Sequence, residues 1–123
     1  MGLAMDRAHR QLFAACDGAL GVIDADKGTV VAMVPTGGHS DENAFDPGTG
    51  LIFMPKGGEM TIVHEDTPDH YTIVQHLVDP RVNSDKVVVD EQTHRAYVPG
   101  YRTDRTMARF DLFYIVLEPV PVK

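Results

Sequence analysis

One pattern constrains this chain more than any other: a short motif is written three times. Asp6, Asp46 and Asp90 each close an apolar run ("LAM", "NAF", "VVV") and open a turn ("RAHR", "PGTG", "EQTHR"). An apolar stretch follows each turn ("QLFAAC", "LIFMP", "AYVP"), with an aromatic at the same offset: Phe13, Phe53 and Tyr97. The aspartates are 40 and then 44 residues apart. Asp suits such corners because its carboxylate accepts backbone N–H groups, and Gly suits them because it tolerates positive φ. A fixed period of this length describes a stack of supersecondary units, each too small to bury its own apolar faces.

The first two copies stay in step further. Gly18 matches Gly58; Leu20, Val22 and Ile23 match Met60, Ile62 and Val63; Asp26 matches Asp66. "GTVVAMVP" and "YTIVQHLV" then supply a fourth β-rich stretch, so each unit reads as four short strands, here called a to d. Nothing reads as a helix. The expected fold is all-β, built from β-propeller blades of four-stranded antiparallel sheets in an incomplete ring, with units at about 2–41, 42–85 and 86–123. A β-sandwich also strings short strands together but gives no reason to repeat one corner at a fixed interval. In the third unit "YRTDRTMAR" reads as a long loop and 110–120 as strand c. Pro119 and Pro121 argue against a regular strand d.

"AMDRAHRQLFAAC…GALGVIDADKGTVVAMVPTGG" resembles the YVTN-type β-propeller repeat, whose members carry an "avD…rlyV" hairpin followed by a "v.viD..tgkvva.ipvG" hairpin. The likeness covers residues 2–98 well and the rest loosely. The tetrapeptide itself is replaced by "FAAC", "FMPK" and "YVPG". The resemblance implies a ring of blades that presents loops to a protein or small ligand. It also implies a family whose members are often exported to the periplasm or cell surface.

Composition narrows the partners. With 43% hydrophobic and 24% charged residues the chain is globular rather than disordered. No apolar run reaches the roughly 20 residues of a bilayer span, so no membrane insertion is expected. Asp6, Arg7, His9 and Arg10 interrupt any signal-peptide core, so no export signal is read at the start. A net charge of −7 argues against nucleic acid. One cysteine, Cys16, excludes an internal disulfide and multi-cysteine zinc sites; it reads as a small buried hydrophobe of strand b.

Strand order places the b–c and d–a loops on one side of the stack and the a–b and c–d turns on the other. The first side gathers His39, Asp41, Lys56, Arg81, Asp85, Arg102, Asp104 and Arg105. If a ligand site exists, these residues face it; the simpler reading, and the one favoured, is that they are solvated loops closing turns. His9 and His94 occupy corresponding a–b turns and read as turn residues. His64, His70 and His76 flank one hairpin and lack the spacing of a helical metal motif. "DADKG" (24–28) begins like a calcium loop but has no distal Glu, and reads as a turn. Ser40-Asp41 and Ser84-Asp85 read as repeated loop caps. No catalytic set, metal site or cofactor is expected.

The expected function is a non-catalytic scaffold. An arc of fewer than three full blades leaves an apolar face bare at each end, which implies a protein partner or self-association there. A propeller-type hydrolase or lactonase with a site at the central channel is the alternative; Asp41 and Asp85 are its repeated acidic candidates.

Overall fold

The computed structural model describes residues 2–81, 83–104 and 109–119, with the backbone path alone for 101–104 and 109–113. Among the described residues there are ten strands and no helix, and so no helix long and apolar enough to cross a membrane. They run β1 (Leu3–Asp6), β2 (Gln11–Asp24), β3 (Val30–His39), β4 (Ala44–Asp46), β5 (Leu51–Lys56), β6 (Glu59–Thr67), β7 (His70–Val78), β8 (Val88–Asp90), β9 (Arg95–Asp104) and β10 (Arg109–Leu117). They form three antiparallel sheets, ordered β1-β2-β3, β4-β5-β6-β7 and β10-β9-β8. The fold is all-β, with one sheet per sequence repeat and no closed ring.

The second sheet shows the four-strand unit plainly. In the first, strands b and c are one element, β2, which pairs with β1 through Gln11–Ala14 and with β3 through Asp17–Ile23. Fully extended, its 14 residues would span roughly 46 Å. Yet the Ala25 N–H donates to the Arg10 carbonyl at 2.9 Å, as the Glu65 N–H does to Gly50 at 2.8 Å. β2 therefore doubles back on itself. The reversal falls at Asp17-Gly18, where Gly18 has φ +77°, matching Gly58 at +86°. The two elements read as one strand because Asp17, inside the turn, still pairs with His39 of β3.

The third sheet differs from expectation. Residues 101–109 read as a long loop, but β9 runs to Asp104 and pairs with β10 from Arg109. Tyr101 and Thr103 favour extended backbone, and the register sets Arg102 opposite Asp111 and Asp104 opposite Arg109. Residues 105–108 and 120–123 lie outside the described residues, and so does any strand d there.

The sheets stack face to face in chain order. Strand alternation sends Ile52, Met54 and Val63 of the middle sheet toward Phe13, Leu20, Val22 and Val34 of the first. The intervening Phe53, Met60 and Ile62 face Val87, Ala96 and Val98 of the third. β5 and β6 of the middle sheet are thus buried on both faces, while β7 stays largely exposed, and each large side chain so buried contributes about 1.5–3 kcal/mol. Phe13 also meets Phe45 at 5.0 Å and Tyr71 at 5.9 Å between ring centroids. Cys16 is half-buried rather than buried, on the outer face of the first sheet, where it flanks Gly21.

Candidate functional site

Each repeated aspartate builds its turn the same way. Asp6 Oδ1 accepts from the Ala8 and His9 N–H groups, Asp46 Oδ1 from Gly48, and Asp90 Oδ1 from Gln92. Asp24 does likewise with Asp26 and Lys27, so "DADKG" is a turn of this kind. The last turn residue takes positive φ: Arg10 at 57°, Gly50 at 71° and His94 at 61°. His94 therefore corresponds to Arg10 and Gly50, whereas His9 corresponds to Thr49. The two histidines share a turn but not a position in it.

One carboxylate oxygen of each aspartate remains, and the next sheet stacks over it. At the joint between the first and second sheets, Asp6 is 2% exposed. Its Oδ2 lies 2.6 Å from His9 Nδ1. Glu65, at the end of β6, enters from the second sheet with a side chain 7% exposed, and its Oε1 lies 3.3 Å from the same nitrogen. The two carboxyl groups hydrogen-bond each other. His9 is the one cationic partner of either among the described residues. The Tyr71 hydroxyl lies 2.5 Å from Gln11 Oε1, 3.0 Å from the Pro68 carbonyl and 3.5 Å from Glu65 Oε2.

The electrostatics follow from burial and crowding. Burial, with the adjacent Asp6, pushes the Glu65 carboxyl up to about 7. Burial also works against ionised Asp6, but hydrogen bonds from His9 and Glu65 outweigh it and hold Asp6 below the usual carboxylate range. The Asp6 carboxylate raises His9. Burial, then the Glu65 charge, raises the Tyr71 phenol. A cleft of about 490 Å³ opens on this cluster, with Phe45, Pro47, His64 and Pro68 among its walls.

The second joint is built differently. Asp46, fully buried, turns Oδ2 toward the Thr49 hydroxyl at 2.8 Å and His94 Nδ1 at 2.9 Å. The imidazole comes from the turn that opens the following sheet, and among the described residues no second carboxylate enters. Gly48 makes room for it, because a Cβ there would collide with the His94 ring.

The chain matches no protein-family model and no curated protein. Its chemistry is therefore read from its own geometry.

Of the loop residues singled out in the sequence, His39, Asp41, Lys56, Arg81 and Asp85 lie on the opposite side of the stack. Three of them meet: His39 Nε2 contacts Asp41 Oδ1 at 2.5 Å, and Asp85 hydrogen-bonds the Asp41 carboxyl. The Asp85 and then the His39 hydrogen bond lower Asp41. Asp17 joins at 3.6 Å from His39. The cluster is open to water, with the His39 side chain 63% exposed, so these charge pairs contribute little energy. Lys56 ties the second sheet to the first through the Gly37 carbonyl at 3.2 Å and also pairs with Glu59. Arg81 turns back to Asp79, away from the others. Arg102 and Asp104 sit near the end of β9, where the backbone alone is described, and Arg105 lies outside the described residues.

Asp6 was visible in sequence as a repeated corner, but its partner was not. Glu65 stands where the first unit has Ala25, and this departure from the repeat is the signal that could have found it. His64 goes to Asp66 and His76 to Thr61, so the three histidines of that hairpin do not converge.

Proposed function

We propose that the chain is a non-catalytic β-propeller-type repeat segment, as its YVTN-like motif implies, and that it works as an interaction scaffold completed by further units. One observation carries this reading: both joints have the same polarity. Phe13 and Phe53 each point to the following sheet, while Leu12, Ile52 and Ala96, one residue earlier, occupy the opposite face. Repeating that operation at the ends assigns a partner to each bare face. The front of the first sheet carries Leu3, Met5, Leu12, Val30 and Met33, with Leu3 64% and Met33 56% exposed. The back of the third carries Val88, Tyr97, Tyr114 and Val116, with Val88 66% and Tyr114 68% exposed. Tyr97 stands where Phe13 and Phe53 meet the next sheet, and among the described residues its ring meets only Tyr114 of its own sheet.

The occupant that fits is a second copy joined head to tail, back face on front face. Two such contacts between two copies close a two-fold ring of six units. Paired lysine variants test the polarity. Met33→Lys damages the front face and Tyr114→Lys the back, so each variant alone is expected to be monomeric. Their equimolar mixture keeps one intact front and one intact back, and is expected to form a weaker dimer by sedimentation. A front-to-front dimer would instead lose Met33→Lys and ignore Tyr114→Lys. Either that pattern or indifference to both substitutions would overturn the reading.

A further inference from the structure

The cluster at the first joint is unusual for the inside of a stack. Two carboxylates from different repeats are nearly buried, within hydrogen-bonding distance of each other, and share one imidazole. Buried like charges are costly unless a proton or a cation stands between them. The second joint shows that the fold does not require this crowding, since Asp46 is satisfied by a hydroxyl, an N–H and one imidazole.

The donor atoms are arranged for a cation. Asp6 Oδ2, His9 Nδ1 and a Glu65 carboxylate oxygen lie within 4.8 Å of one another. Their partners leave these atoms available: Asp6 Oδ1 is held by the two turn N–H groups, and Glu65 Oε2 sits beside Tyr71. Such outer contacts orient ligands before a metal arrives. Around zinc, ligands at about 2.0–2.1 Å in tetrahedral array stand roughly 3.4 Å apart. The His9–Glu65 distance of 3.3 Å already meets this, and the His9–Asp6 distance of 2.6 Å has to open by under about 1 Å. His9 can make that movement, because its side chain is half exposed. The adjoining cleft gives a path of entry and room for water in a fourth position.

We propose that Asp6, His9 and Glu65 form a binding site for a first-row divalent cation, zinc before the others, which fastens the second sheet to the first. One imidazole nitrogen and two carboxylate oxygens suit zinc, cobalt, nickel or manganese. They do not suit calcium or magnesium, which prefer oxygen alone. Binding moves no electrons: the cation enters, and any proton held by Glu65 or His9 Nδ1 leaves to solvent. Asp6 and His9 come from one turn and Glu65 from the next repeat, so occupancy adds a metal link between two units that already meet through apolar contacts and a few hydrogen bonds.

The test uses the full chain, first stripped with a chelator, and zinc and cobalt as probes. At neutral pH, one equivalent of zinc is expected to raise the melting temperature by several degrees. Cobalt is expected to give a visible absorption band of low-symmetry coordination at one ion per chain. His9→Gln and Glu65→Gln should each weaken zinc binding at least tenfold and remove the cobalt band. His70→Gln, on the exposed β7, should change neither. Glu65→Gln removes a crowded charge, so its metal-free fold should melt no lower than the original, which separates lost binding from lost folding. An unmoved melting curve with no cobalt band would overturn the proposal. So would binding that survives both substitutions, or that disappears on His39→Gln, which would place the metal on the exposed loop face.

Discussion

The two joints of this molecule are made from the same repeat and solve the same problem differently. At both, an aspartate that caps its own turn is buried when the next sheet stacks over it. At the second, the next sheet supplies His94 and the turn supplies the Thr49 hydroxyl, so one carboxylate meets one imidazole. At the first, the turn supplies His9 and the next sheet supplies Glu65, so two carboxylates compete for one imidazole. Both are surrounded by apolar contacts, aromatic at the first joint and mostly aliphatic at the second. The repeat therefore sets where charge is buried, and single departures from it set whether that charge is balanced.

The largest expected effect separates a joint from a bare end. Phe13→Ala removes the aromatic at the first joint and should cost about 3–5 kcal/mol in urea unfolding. Tyr97→Ala, at the corresponding position of the third unit with no sheet over it, should cost under about 1 kcal/mol in the isolated monomer. Equal losses would mean that stacking polarity does not decide burial.

Asp46→Asn comes next. It weakens the acceptor that serves Gly48, Thr49 and His94, and should cost about 1–3 kcal/mol. Urea unfolding measures the loss, and an unchanged midpoint would mean that the second joint does not depend on this carboxylate.

Glu65→Gln should act in the opposite sense, and only where Glu65 is ionised. Its carboxyl is raised from 4.5 to about 7 in the folded chain. Between those values the folded state holds a proton that the unfolded state has released. Stability from this group is thus fully present below about 4.5, falls as pH rises through that window, and is flat above it. His9, also raised, adds a loss of the same sign as pH climbs past its folded value, while the lowered Asp6 removes stability in acid, below 3.8. In chelator, Glu65→Gln should flatten the slope between pH 5 and 7 and gain on the order of 1–2 kcal/mol at pH 8. An unchanged slope in thermal melts would place the titration elsewhere.

The smallest effect is a steric one. Gly48→Ala puts a methyl group against the His94 ring and should cost about 1 kcal/mol. The corresponding substitution at the first joint is already present as Ala8, because no imidazole crosses there.

Much of this architecture was legible in the sequence, because turn chemistry is local. An aspartate, a four-residue turn and a positive-φ position recur at each corner, and the apolar alternation around Phe13, Phe53 and Tyr97 marks two buried faces. The site was not legible for the same reason. Glu65 meets Asp6 only after two sheets stack, and its sequence neighbours "VHEDT" look like an ordinary hairpin end. His9 and His94 looked equivalent until backbone geometry showed that one faces its own aspartate and the other reaches back to the preceding unit. In "YRTD", charge concealed a strand that the pairing with β10 reveals.

The measurement that bears most directly on the account is the solution mass of the unmodified chain, by light scattering across micromolar to hundreds of micromolar concentrations. Complementary end faces predict a closed species of twice 13.5 kDa, with no growth to larger assemblies as concentration rises. A single 13.5 kDa species throughout would contradict it, because both apolar end faces would then stand in water without a partner.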